Sequence, residues 1–117
     1  MSTAVALIKI KVASDFSTTP GPRSPKEGGF SGYLFRTNVL APAVKRAISE
    51  DADIEINLDG TAGYGTSFLE ESFGGLIRDE HLSYDDIVTR LTIISNEEEY
   101  LRDDILEYLK DAADANS

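Results

Sequence analysis

Cysteine and tryptophan are absent from the 117 residues, and histidine and methionine occur once each. Without cysteine the chain has no disulfide, no thiolate zinc site and no thiol nucleophile. With His81 as the sole imidazole, no histidine metal cluster can form, so neither a metal nor another cofactor is expected. No apolar run approaches the ~20 residues that span a bilayer. The opening "MSTAVALIKIKV" is too short, and its lysines are misplaced, for a secretory signal. A cytoplasmic protein without a membrane anchor is expected. What is there is ordinary for a globular domain: 41% hydrophobic and 27% charged residues, enough for one modest core.

The net charge of -10 conceals an asymmetry. Residues 1–48 hold seven Lys/Arg against Asp15 and Glu27, giving +5, whereas residues 49–117 hold four against nineteen acids, giving -15. An acidic total argues against nucleic acid, whose phosphates supply most of the affinity for basic proteins. It suits a basic protein partner, or simply a solvated acidic face.

Alternation places Ile8, Ile10 and Val12 opposite Lys9 and Lys11, a half-buried strand. "DFSTTPGPRSPKEGGFSG" follows, with three prolines, four glycines and five Ser/Thr, so residues 15–29 are expected to form a flexible loop. From Ser31 the period becomes helical through Leu40, Val44, Ala47 and Ile48. Pro42 either lies in the first turn of a helix starting near Ala41 or kinks a longer one. "DIEINLD" is a second half-buried strand. A helix carries Leu69, Phe73, Leu76 and Ile77, a short one is capped by Ser83, "LTIIS" is a third strand, and a last helix buries Leu101, Ile105, Tyr108 and Ala112. Residues 113–117 are expected to form a disordered tail. This order predicts a single α/β domain with a mainly parallel or mixed sheet of three to four strands, covered by helices mostly on one face.

The most specialised stretch joins the second strand to a helix: "NLDGTAGYGTSFLEESFGGLI", residues 57–77. Ser67 with Glu70 three residues on reads as a capping box, which accounts for the serine. It leaves Gly63, Tyr64, Gly65 and Thr66 unaccounted for. Glycines permit close backbone approach at the carboxyl end of a strand, where open α/β sheets bind ligands. Hydroxyls at a helix start favour a bound or attached phosphate. Gly74 and Gly75 inside the helix imply that another backbone comes close, from the same chain or from a partner docked on the helix beside Glu71. A weaker candidate is an anion cradle made by Arg23, Lys26 and Ser31, with Arg36 beyond it, although Arg36 also suits pairing with an acid. His81 reads as a surface loop residue. The pairs Glu70/Glu71, Asp85/Asp86 and Asp103/Asp104 are adjacent in helices and diverge by about 100°, so none makes an acid/base dyad.

The segment from Ile54 to Ile77, with the upstream "GPRSPKEGGFSGYLFR", resembles the STAS-like family of unknown function, small bacterial and phage-type domains similar to the STAS domains of anti-sigma-factor antagonists. The resemblance runs from about Val5 to Ala112. In the antagonists a strand ends in Asp-Leu-Ser-Gly and a turn with Asp-Ser-Ser-Gly opens the helix. Leu58 and Gly60 match, Thr66 falls on the first turn serine and Ser67 on the second, while Gly65 and Phe68 stand at the aspartate and glycine positions. The resemblance implies a non-enzymatic regulatory or adaptor module, a protein partner of the GHKL-type ATPase/kinase kind, and a phosphate switch at Thr66 or Ser67. The alternative reading is a phosphate- or nucleotide-responsive domain using Gly63 to Ser67 and the Arg23/Lys26 loop.

Overall fold

The computed structural model describes residues 6–115. The elements run β1 (Leu7–Lys11), α1 (Val12–Asp15), α2 (Gly32–Phe35), a π turn (Arg36–Leu40), α3 (Ala41–Glu50), β2 (Asp53–Asn57), α4 (Thr66–Leu69), a second π turn (Glu70–Gly74), α5 (Gly75–Arg78), α6 (Tyr84–Val88), β3 (Leu91–Ile94) and α7 (Tyr100–Ala115). The three strands form a parallel sheet in sequence order, Ile10 pairing with Ile56 and Ile56 with Ile93. Right-handed crossovers between strands laid down in one direction put the helices on one face. The burial agrees: Ile10, Ile54, Ile56 and Ile93 are buried, while Lys9, Lys11 and Thr92 stand on the open face. The apolar alternation of β1 stops at Lys11, because Val12 already belongs to α1, though its side chain is fully buried.

Each π turn lies within an unbroken helix, one spanning 32–50 and one 66–78. The first has a local cause. Pro42 lacks an N–H and its ring would strike the carbonyl four residues back, so the helix widens ahead of it and Ala41 N–H bonds to Arg36 O. The two alternatives for Pro42 are therefore both realised: it sits in the first turn of α3, and α3 continues a longer helix that begins after Ser31. Ser31 caps that helix, its hydroxyl accepting from Leu34 N at 3.2 Å. Ser83 caps α6 in the same way, accepting from Asp86 N at 3.4 Å.

Phe35, Phe68 and Phe73 are fully buried where the two long helices cross, with Phe35 stacked on Phe68 at 5.7 Å between ring centres. Burying each such ring stabilises the fold by roughly 1.5–3 kcal/mol. In α7 the buried row is Leu101, Ile105, Leu109 and Ala112, so Leu109 takes the place read for Tyr108, which is half-buried. Residues 113–115 continue α7 and are not a disordered tail; 116–117 lie outside the described residues.

The 15–29 segment closes on itself. Gly21 N donates to Phe30 O at 2.9 Å, Gly32 N to Pro22 O at 2.8 Å and Tyr33 N to Arg23 O at 3.0 Å. Ala62 N reaches Thr18 O at 2.8 Å, which ties this segment to the turn after β2.

Candidate functional site

The turn after β2 is built from its own short side chains. Asn57 Oδ1 accepts from Asp59 N at 2.9 Å, and the Asp59 carboxylate accepts from Asn96 N and Glu97 N at 2.9 and 3.0 Å. Those N–H groups hold the Asp59 carboxyl below its ordinary value. Gly60 and Gly63 have φ of +92° and +128°, values that a side chain would strain, so the glycines at these two positions are required by the backbone. Tyr64 donates to Leu58 O at 2.8 Å and packs beside Phe68. Burial pushes its phenol up to about 12, which keeps it a neutral donor. Tyr64 is thus a strut across the turn.

The helix cap is not the one expected. Gly65 occupies the N-cap position with extended backbone, and no side chain caps the helix. Ser67 lies inside the first turn, and both its hydroxyl and that of Thr66 are exposed and without a hydrogen-bond partner among the described residues. Glu70 cannot close a capping box because arginines hold it: Arg23 at 2.6 Å and Arg78 at 2.8 Å. Burial pushes the Glu70 carboxyl up, but the hydrogen bonds from Arg78 and Arg23 outweigh it and leave the group below the usual glutamate range. Glu80 behaves alike, with Lys45 and Arg36 overcoming burial.

Nor does the pair Glu70/Glu71 diverge. Arg23 Nη1 lies between the two carboxylates, 2.6 Å from one and 3.1 Å from the other, because both long side chains bend toward the same guanidinium. Glu71 also pairs with Arg36, whose side chain is only 3% exposed and which bonds Glu71 O at 2.8 Å and Glu80 at 3.2 Å. Arg36 therefore pairs with Glu71 and Glu80 and is unavailable as an anion ligand, and Arg23 is similarly engaged. Of the proposed cradle, Ser31 is spent as a cap and Lys26 stands exposed.

Gly74 and Gly75 are buried, and the close approach is internal. A Cβ on Gly74 would strike the Glu70 carboxylate, and one on Gly75 would strike the Arg36 guanidinium. The side of the 66–78 helix that was read as a docking face is consequently closed over most of its length: residues 72–77 are all buried. Sequence reading missed Gly32, where a Cβ would meet Phe68 O at 2.5 Å, so this glycine sets how closely the long helices cross. It also missed Phe30 and Tyr33, 51% and 43% exposed. Phe30 has φ +53°, uncommon for a bulky residue. Its ring rests edge-on against Phe16, which in turn meets Phe68, the residue after Ser67.

The exposed part of the candidate site is thus shorter than expected. It comprises the exposed Gly65, Thr66 and Ser67, with half-exposed aromatics on the neighbouring segment and a compensated ion-pair cluster behind them. His81 lies in an exposed turn with φ +59°. No described helix is long and apolar enough to cross a membrane. A family model for a STAS-like domain of unknown function matches residues 31–101. No curated protein and no solved structure matches the chain.

Proposed function

This chain belongs to the family of STAS-like domains of unknown function, and from that premise we infer that it is a non-enzymatic regulatory or adaptor module that docks a protein partner at the mouth of the β2 turn. The observation that carries the reading is the pair of unengaged hydroxyls, Thr66 and Ser67, exposed in the first turn of a helix whose next residue, Phe68, meets Phe16, against which the exposed Phe30 ring rests. An exposed aromatic held in a left-handed backbone conformation is costly to keep, and such strain concentrates at binding sites. Phosphate on Ser67 would add about 1.5 to 2 negative charges at the positive end of the helix, a favourable place for it, while altering the charge and shape offered to a partner. The resemblance to anti-sigma-factor antagonists makes a GHKL-type ATPase or kinase the partner class, acting in the cytoplasm.

The rival reading, a phosphate- or nucleotide-responsive domain, is weakened by the engagement of Arg23 and Arg36 with carboxylates. A photo-crosslinking amino acid in place of Thr66, irradiated in an extract of the native host, tests docking directly. Capture of one protein carrying an ATPase domain supports the reading. Crosslinks no more frequent than those from a probe at Glu107 on α7 would count against it, and stabilisation of the chain by ATP alone would favour the rival.

A further inference from the structure

β3 ends the sheet: β2 pairs with one side, and no described residue pairs with the other. In a parallel ladder a strand turns alternate residues toward each neighbour. Arg90 O accepts from Ile54 N and Ile94 O from Leu58 N, so Thr92 between them also faces β2. The N–H and C=O groups of Leu91 and Ile93 therefore point away from the sheet. Such an edge is a template for another strand, and proteins usually blunt it with lysine, proline or a bulge. The sequence of β3, "LTII", has no lysine or proline.

A groove of about 200 Å³ opens along this edge, lined by Leu91, Thr92, Ile93, Arg102 and Leu106. Leu106 is 40% exposed and lies off the buried row of α7. Arg102, one turn earlier, is unusual among the six arginines. Arg23, Arg36, Arg46, Arg78 and Arg90 all have carboxylate partners. Arg102 has none among the described residues, in a chain of net charge -10. An unpaired guanidinium, an apolar groove and free strand groups together suit an extended chain that ends in a carboxylate.

We propose that the β3 edge binds the C-terminal end of a partner chain, which adds as a fourth strand, lays an apolar last side chain against Leu106 and pairs its terminal carboxylate with Arg102. Charge selects the terminal carboxylate over acidic side chains. Residues 96–114 hold eight acids against Arg102 and Lys110, so a peptide rich in Asp or Glu is repelled, and lysine or arginine upstream of the last residue is favoured. This surface shares no residue with the β2-turn site and stands or falls separately from it.

The probe is the synthetic peptide KVKVTVL with a free carboxylate, titrated into the ¹⁵N-labelled full chain. Saturable shifts of the Leu91 and Ile93 amides are expected. Amidating the peptide terminus weakens binding about tenfold or more. Arg102→Gln weakens the acid peptide similarly and erases the difference between acid and amide. Methylating alternate peptide nitrogens abolishes binding in one register and spares it in the other. Equal affinity for acid and amide, insensitivity to both methylation registers, or shifts confined to other residues would overturn the proposal. So would shifts of the same two amides that grow with protein concentration alone, because the edge would then be occupied by a second copy of the chain.

Discussion

At the residue scale, two serines that look alike in sequence do different work. Ser31 is buried with its hydroxyl on Leu34 N, so Ser31→Ala is expected to destabilise the fold by about 1 kcal/mol. The exposed Ser67 hydroxyl has no hydrogen-bond partner among the described residues, and Ser67→Ala is expected to change stability by less than about 0.5 kcal/mol. Urea unfolding of the two variants separates a structural hydroxyl from one kept for the surface. Gly75 gives the opposite contrast. Any Cβ there displaces the Arg36 guanidinium from Glu71 and Glu80, and Gly75→Ala is expected to cost about 2 to 4 kcal/mol in the same assay. A stable Gly75→Ala protein would show that the buried arginine can relocate.

At the element scale, the two π-widened helices are latched by acids clustered at 70, 71 and 80. Glu70 and Glu80 have folded-state values below the ordinary 4.5, so their contribution to stability is complete above that value and is lost as pH falls through the depressed ones. The denaturation midpoint is expected to fall with pH below about 4.5, and a Glu70→Gln, Glu80→Gln double variant is expected to be less stable at neutral pH with a flatter acid limb. The sequence allowed the strands, the helix start near Ser31, the cap at Ser83, and the one-faced sheet to be read, because alternation, helical periodicity and hydroxyl caps are local signals. It could not show the cap at Gly65, since the arginines that divert Glu70 come from 47 residues upstream and from the next helical turns. The π turns were hidden for a related reason: Pro42 marks a disturbance, but only neighbouring packing decides between a break and a widened turn. Gly74 and Gly75 signalled a close approach correctly without indicating that Glu70 and Arg36 make it.

At the scale of the whole molecule, the charge asymmetry along the chain is largely an internal device. The basic first half and the acidic second half meet in the fold, as Arg23 with Glu70 and Glu71, Arg36 with Glu71 and Glu80, and Lys45 with Glu80. That leaves residues 96–111, with seven acids against Arg102 and Lys110, as the larger net negative field, near the β3 edge. The acids nearest Ser67 on its own helix, Glu70 and Glu71, already have arginine partners. A phosphate on Ser67 would therefore be the dominant new charge at that surface.

The docking claim is tested most directly by measuring how the protein captured at position 66 binds the wild-type chain and the Ser67→Asp and Phe30→Ala variants, each shown to be folded. Binding is expected to weaken about tenfold or more for both, while Glu107→Ala on α7 binds as wild type does. Unchanged affinity for both folded variants would contradict the claim and leave the turn a structural connection.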